Sequence, residues 1–220
     1  RDGALITGIP WRTVSDAGIT YHNSIAAIPL RDSDDSHERV YHKQKLVPFG
    51  EYVPMQSLIR GLIPFFDLPM SGFTPGDPSQ PNLTVLGHTV APFICYEILY
   101  PQLVASRSHD ADVLVTISND AWFGTSAGPV QHFQMARLRA LETGRWLLRG
   151  TNNGVTAVID HRGQVVDALP QFERDVLYSQ YQPRTGITPF MALGVWPWLA
   201  LSVMLLLPAM LKRKKQQLDI

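Results

Sequence analysis

The sequence predicts an α/β domain followed by a C-terminal transmembrane helix. Short apolar runs rich in β-branched residues recur through the first 189 residues, which is typical of strands covered on both faces. Residues 190–211 then form a stretch of 22 residues without a charged side chain. As a helix this stretch would be about 33 Å long, enough to cross a hydrocarbon core of about 30 Å.

Composition excludes several classes of protein. The chain has 220 residues, of which 45% are hydrophobic and 17% are charged, so an intrinsically disordered chain is excluded. Its single cysteine, Cys95, excludes a disulfide-stabilised scaffold. Nineteen basic and nineteen acidic residues balance to a net charge of zero, and no nucleic-acid partner is expected.

Six strands, the last two of them a hairpin, and two helices are predicted within the α/β domain. Pro129 suits the first turn of a helix and Gly144 its end, so the clearest helix covers Pro129–Thr143, and a second is expected at Ile98–Ser108. The helix Pro129–Thr143 carries an apolar stripe, formed by Val130, Phe133, Ala136, Ala140 and Leu141. The strands are expected at Ala4–Ile9, Ser24–Pro29, Thr89–Cys95, Asp112–Ser118 and Gly154–Asp160. The last of them pairs with Gln164–Leu169 in a predicted hairpin.

Residues 52–76 predict a long irregular loop, because they contain four prolines and three glycines among many apolar side chains. Two interpretations remain open. The loop either contacts lipid and covers an apolar site, or it packs on the core of its own domain. In the first case the apolar side chains that contact lipid would be Leu62, Ile63, Phe65 and Phe66.

The apolar stretch 190–211 has the flanks of a membrane helix. Trp196 and Trp198 lie near one end, and the basic run Lys212-Arg-Lys-Lys215 closes the other. The positive-inside tendency then places residues 212–220 in the cytoplasm as a basic tail and residues 1–189 on the opposite side of the membrane. The alternative is a buried core helix.

Cys95 is the first candidate for chemistry, since it ends an apolar run and precedes Tyr96 and Glu97 at an expected helix start. A helix N-terminus stabilises a thiolate and offers backbone N–H groups to a developing oxyanion. The alternative is a small buried side chain.

Lys43 and Lys45 both lie in the segment 41–51, where a lysine could stabilise a thiolate or an oxyanion. Their spacing cannot choose between them.

The polar segment Ser118–Gly124 follows another apolar run. It is either an ordinary turn or a binding loop at the same sheet edge as Cys95. The histidines show no spacing typical of metal ligands, and no glycine-rich phosphate loop is present. Neither a metal nor a cofactor is therefore expected.

Four segments together resemble the carbon–nitrogen hydrolase (nitrilase) superfamily: YHKQKLVPFGEYVP (41–54), FICYEILYP (93–101), TISNDAWFG (116–124) and RALETGRWLLRGTNNGVTAVIDHRG (139–163). The resemblance implies a nitrilase-like αββα sandwich with a Glu–Lys–Cys triad. Cys95 matches the nucleophile, and Lys43 rather than Lys45 matches the family lysine. Glu51 matches an additional catalytic carboxylate, and Tyr96 and Glu97 match residues that line the site and its oxyanion hole.

The apolar tail and loop make the chain similar to the branch of this superfamily that acylates bacterial lipoproteins. That likeness implies a thioester mechanism with a phospholipid acyl donor, typically phosphatidylethanolamine. The acceptor would be the α-amino group of the N-terminal diacylglyceryl-cysteine of an apolipoprotein, at the periplasmic side of the inner membrane. The family's general-base glutamate precedes the strand that Ala4–Ile9 resembles, so we expect it outside this chain.

The expected organisation is therefore an N-terminally incomplete catalytic domain in residues 1–189, a transmembrane helix in residues 190–211 and a tail in residues 212–220. Two alternative functions remain. A soluble-type nitrilase or amidase would share Cys95 and Lys43 but would not need a membrane helix. A non-catalytic membrane-anchored fragment would fit the missing glutamate.

Overall fold

The computed structural model describes residues 3–16, 18–30, 40–54 and 72–218. Their strands are β1 (Ala4–Ser15), β2 (Gly18–Pro29), β3 (Val40–His42), β4 (Leu83–Val85), β5 (His88–Ile94), β6 (Val113–Ser118), β7 (Trp146–Thr151), β8 (Ala157–Ile159) and β9 (Val165–Ala168). Their helices are α1 (Pro101–Arg107), α2 (Gly128–Thr143), α3 (Pro189–Leu193) and α4 (Trp196–Leu218), with 3-10 helices at Cys95–Leu99 and Asp120–Phe123.

A three-stranded sheet with the order β1-β2-β3 comes from the first part of the chain. β1 and β2 form a long antiparallel hairpin that pairs Ala4 with Pro29 at one end and Ser15 with Gly18 at the other. Both strands extend well beyond the predicted apolar runs. The added residues form the distal half of the hairpin, where most side chains are exposed. Its strands therefore lack the continuous apolar pattern of a covered sheet.

A six-stranded sheet follows, with strands β4 to β9 in sequence order. β5, β6 and β7 run parallel at its centre, and β4, β8 and β9 join antiparallel. The predicted hairpin is confirmed as β8 and β9. The strand β7 was not predicted. Because the carboxyl ends of parallel strands meet at one edge, the residues after β5, β6 and β7 come together there.

Two hydrophobic clusters hold the layers together. One lies between the sheets and combines Ile25, Ala27 and Tyr41 of the three-stranded sheet with Val90 and Val113 of the other. The second packs α1 and α2 on the outer face of the six-stranded sheet, and its buried members include Phe93, Val104, Leu114, Ala136 and Leu147. The described residues therefore form a helix–sheet–sheet arrangement, in which the second helical layer of the predicted sandwich is not seen.

Helix α2 confirms the predicted helix to within one residue at its start, and its buried side includes Phe133, Ala136 and Ala140. Two members of the predicted apolar stripe are largely exposed, Val130 at 45% and Leu141 at 52%. The helix is rotated so that polar side chains, including His132, also face the protein interior. The predicted helix Ile98–Ser108 is instead divided into the 3-10 helix Cys95–Leu99 and α1.

The C-terminal stretch differs from the predicted transmembrane helix over residues 190–211. Gly194 has a positive φ of 58° and ends α3 after five residues, so α4 begins only at Trp196 and continues through the basic run from Lys212. Among the helices that the structure describes, none is both long enough and apolar enough to cross a membrane. The single helix predicted over residues 190–211 is therefore divided into α3 and α4.

The predicted loop 52–76 is described only at its two ends. Tyr52 forms an antiparallel bridge with Gly72, and the Phe73 N–H donates to the Glu51 carbonyl, so the two ends of the loop lie side by side. Its predicted lipid-contacting side chains fall outside the described residues, namely Leu62, Ile63, Phe65 and Phe66.

Candidate active site

Cys95 lies directly after β5, at the first position of a 3-10 helix. Its side chain is partly exposed, and its φ of 50° places it in the left-handed region. A non-glycine residue there is strained, and such strain persists only where surrounding contacts enforce it. The first N–H groups of a helix have no acceptor within the helix itself, and the thiol lies beside the first of them in the chain.

Lys43 follows β3 and is almost completely buried, with 1% of its side chain exposed. Its Nζ donates to both carboxylate oxygens of Glu51, at 2.8 Å and 2.7 Å. The same carboxylate accepts from the Asn23 side chain at 2.8 Å and from the Val47 N–H at 2.7 Å. An ammonium has three N–H donors, so this arrangement orients Lys43 and leaves one donor for another acceptor.

The structure distinguishes the two lysines that spacing could not. Lys45 is exposed, and its Nζ lies 5.8 Å from the centre of the Tyr100 ring. Tyr100 in turn packs edge-on against the partly buried Tyr96, with ring centres 5.2 Å apart. A hydrogen bond with Tyr96 raises the pKa of Tyr100 to about 12. Of these two lysines, Lys43 is therefore the buried and ion-paired one.

Glu97, which was expected to line the site, is fully buried. One of its carboxylate oxygens accepts from the Tyr41 hydroxyl at 2.8 Å and from the N–H groups of Gln44 and Lys45 at 2.7 and 3.2 Å. The other accepts from the Ile94 N–H at 2.8 Å. Burial raises the pKa of Glu97, and these hydrogen bonds oppose the rise.

The position of Glu97 gives it a structural task. Gln44 and Lys45 immediately follow Lys43, and Ile94 immediately precedes Cys95. One carboxylate therefore joins the segment that carries the lysine to the strand end that carries the thiol. We name this arrangement the Glu97 clamp.

A second buried polar group, not predicted from the sequence, lies behind Cys95. His132 Nε2 lies 3.0 Å from the Cys95 carbonyl oxygen, and His132 Nδ1 lies 3.0 Å from Asp120 Oδ1. Arg149 Nη2 donates to Asp120 Oδ2 at 2.7 Å, and the Ser118 hydroxyl donates to the same carboxylate. Asp120, in the segment Ser118–Gly124, is thus linked to the Cys95 carbonyl through His132.

These contacts favour an ionised Asp120. Its burial raises the pKa, but hydrogen bonds from His132 and Ser118 and the positive charge of Arg149 outweigh burial and hold the pKa of Asp120 below its ordinary value. Gly154 packs against this carboxylate so closely that a Cβ atom there would lie 2.1 Å from Asp120 Oδ2. Any side chain at this position would displace Asp120.

A cavity of about 490 Å³ lies beside this polar group, at the carboxyl end of β7. Its wall includes Asn152, whose side-chain oxygen accepts from the Asp120 N–H at 3.1 Å. Neither Cys95 nor Lys43 lines it. The cavity therefore borders the buried Asp120 cluster and contains neither Cys95 nor Lys43.

The parts described so far suit nucleophilic acyl chemistry. A thiol at a strand end can attack a carbonyl carbon, and an ammonium together with backbone N–H groups can stabilise the resulting oxyanion. The thiol here is that of Cys95, the ammonium is that of Lys43, and the backbone N–H is that of Tyr96. The Glu97 clamp joins the segments that carry them.

Comparisons with known proteins agree with this chemistry. The carbon–nitrogen hydrolase family profile matches residues 2–188. Apolipoprotein N-acyltransferase of Azotobacter vinelandii is 50% identical over 99% of this chain and 41% of its own length, and that of Pseudomonas syringae is 52% identical over 94% and 40%. The chain thus spans about two fifths of the length of these relatives.

Solved structures agree on the fold. The NitFhit protein of C. elegans aligns with 76% of this chain and 40% of its own length, with a TM-score of 0.57 and 19% identity. A carbon–nitrogen hydrolase of Helicobacter pylori covers 76% of this chain and 57% of its own length, with a TM-score of 0.54 and 17% identity. The match of the family profile to residues 2–188 shows that the chain belongs to the carbon–nitrogen hydrolase family.

Proposed function

We propose that this chain provides the thiol and lysine of an N-acyltransferase. The enzyme transfers an acyl chain from a phospholipid to the α-amino group of the N-terminal diacylglyceryl-cysteine of apolipoproteins. The observation that carries the proposal is the 50% identity to an apolipoprotein N-acyltransferase over 99% of the chain. The buried ion pair of Lys43 with Glu51 and the strained turn at Cys95 support it.

The reaction proceeds in two steps. A general base takes the proton of the Cys95 thiol, the thiolate attacks the carbonyl carbon of the phospholipid ester, the ester C–O bond breaks, and the base gives the proton to the departing lysophospholipid. The lipoprotein amine then attacks the thioester, the C–S bond breaks as the amide bond forms, and a proton from the amine passes through the base to restore the thiol. In both steps Lys43 and the Tyr96 N–H stabilise the tetrahedral oxyanion.

The general base is a separate question, because Glu51 and Glu97 are already engaged. Glu51 accepts two hydrogen bonds from Lys43, and Glu97 is fully buried on the clamp contacts. A carboxylate so occupied is poorly placed to accept a proton from the thiol. We therefore assign the base to a glutamate of the enzyme outside the described residues.

Both substrates are lipids, so the reaction takes place at a membrane. We place it at the periplasmic side of the bacterial inner membrane. The exposed apolar surface of α4 supports contact with lipid, since Trp196 is 75% and Trp198 is 70% exposed. Water must be excluded from the thioester, and the apolar side chains of residues 52–76 are suited to cover it, in particular Leu62, Ile63, Phe65 and Phe66.

The proposal is tested with the full-length protein and phosphatidylethanolamine labelled in its acyl chain. We expect label on Cys95 that hydroxylamine removes, and an increase in labelled lipoprotein peptide when a diacylglyceryl peptide is added. Cys95→Ala should abolish both signals while retaining the fold. Labelled product from the Cys95→Ala variant would contradict the thioester mechanism. Hydrolysis of small amides without any label from phospholipid would instead identify an amidase.

A further inference from the structure

The contact between His132 and the Cys95 carbonyl concerns the peptide unit that performs the chemistry. The Cys95 carbonyl and the Tyr96 N–H belong to one planar peptide group, in which the C=O and N–H bonds have a rigid mutual orientation. A group that holds the carbonyl therefore also directs the N–H. This reasoning rests on the proposed acyl transfer, in which the Tyr96 N–H stabilises the oxyanion.

His132 is well placed to hold that carbonyl. It is 5% exposed, and its Nε2 lies 3.0 Å from the Cys95 oxygen. Because a carbonyl oxygen only accepts hydrogen bonds, Nε2 carries the proton. The nearest ionisable groups on the other side of the ring are Asp120 Oδ1 at 3.0 Å and Arg149 Nη2 at 3.2 Å.

The contact with Cys95 is preserved in both protonation states of the ring. A protonated His132 donates to Asp120 through Nδ1 and to Cys95 through Nε2. A neutral His132 keeps the proton on Nε2, and its Nδ1 accepts from Arg149. Asp120 and Arg149 thereby keep the donor directed at the Cys95 carbonyl.

We propose that His132 is a positioning residue, which holds the Cys95–Tyr96 peptide in its strained conformation and so directs the Tyr96 N–H at the oxyanion of the acyl intermediate. The φ of 50° at Cys95 shows that the turn needs such support. Losing one oxyanion-hole donor lowers kcat by about 10²–10³. His132→Leu should therefore slow acylation of Cys95 about a hundredfold.

The test compares two reactions of Cys95 in the full-length protein. Acylation by a p-nitrophenyl ester passes through an oxyanion, whereas alkylation by iodoacetamide does not. We expect His132→Leu to slow acylation about a hundredfold, with KM and the alkylation rate within twofold of the wild type. His132→Gln, whose amide nitrogen can replace Nε2 as the donor, should restore acylation to within tenfold. His88→Leu, at a partly exposed histidine beside Asp112, is the matched control and should change neither rate.

Three outcomes would overturn the inference. Equal acylation rates in His132→Leu and His132→Gln would show that the donor is irrelevant, and a parallel loss of acylation and alkylation would show a merely structural role. A change in KM alone would place His132 in ester binding. Because a p-nitrophenyl ester contains no phospholipid, these outcomes decide the role of His132 whether or not phospholipid is the natural donor.

Discussion

The ion pair of Lys43 with Glu51 predicts an asymmetric response to mutation. Glu51→Gln removes the negative charge and leaves a buried ammonium, since only 1% of the Lys43 side chain is exposed. Lys43→Met removes the positive charge, but the Glu51 carboxylate keeps its hydrogen bonds from Asn23 and the Val47 N–H. We therefore expect Glu51→Gln to destabilise the protein more than Lys43→Met does.

The magnitude follows from the geometry. At the Nζ–Oε2 distance of 2.7 Å and an effective dielectric constant of about 20, the attraction is about 6 kcal/mol. The cost of removing both charges from water offsets most of this, whereas removing a single partner from a buried pair costs about 3–5 kcal/mol. Glu51 retains 13% exposure, through which water can reach the site, so we expect about 3 kcal/mol for Glu51→Gln.

Urea unfolding of the wild type, the two single variants and the double variant Glu51→Gln/Lys43→Met forms a complete cycle. The double variant contains no unpaired buried charge, so it should be more stable than Glu51→Gln alone. A coupling free energy of at least 1.5 kcal/mol is expected, about the size that contacting residues show. Additive effects, with a coupling below about 0.5 kcal/mol, would refute the reasoning that Glu51 neutralises Lys43.

Three further predictions concern the site and its cover. Lys43→Arg should lower the rate of Cys95 acylation at least a hundredfold in a single-turnover assay, because a planar guanidinium cannot occupy the compact site of an ammonium, whereas Lys45→Arg should stay within twofold. Asp120→Asn should cost about 3–5 kcal/mol at pH 7 by urea unfolding. Since the pKa of Asp120 is held below its ordinary value of 3.8, this stabilisation is present above that value and lost as the pH falls below it. The cost should therefore shrink at pH 3, and a cost independent of pH would contradict the assignment. Each buried apolar side chain is worth about 1.5–3 kcal/mol, so replacing two or three apolar residues of the loop 52–76 with serine should weaken transfer from phospholipid a hundredfold or more, with unchanged iodoacetamide labelling of Cys95. The residues to replace are Leu62, Ile63, Phe65 and Phe66. Unchanged phospholipid turnover in these variants would show that the loop has only a structural role.

The two central parallel strands that the sequence predicted, β5 and β6, are largely buried. β5 and β6 have the continuous apolar pattern of central parallel strands, and both were found within a few residues. β7 was missed because its sequence, WLLRGT, includes the buried Arg149 and no β-branched residue except its last. β3 and β4 contain only three residues each, too few to show a periodicity.

The candidate site was predictable only where a single segment carried the signal. The segments around Lys43, Glu51 and Cys95 resemble family motifs, so residue types and order were sufficient to select them. The polar group behind Cys95 draws Asp120, His132 and Arg149 from a 3-10 helix, α2 and β7. No local pattern links positions so far apart, although a histidine at the same helical spacing as Ala136 and Ala140 was the one available signal.

The Glu97 clamp predicts how the proposed acylation of Cys95 is lost when the protein begins to unfold. The clamp spans 53 positions between Gln44 and Glu97 and joins the three-stranded sheet to the six-stranded one. The segment that carries Lys43 follows a strand of the first sheet and Cys95 follows a strand of the second, so the proposed acyl chemistry requires that the two sheets stay docked. The acylation rate of Cys95 should consequently report on the docking of the two sheets. It should fall as soon as the sheets separate, even in a state whose helices and strands remain intact.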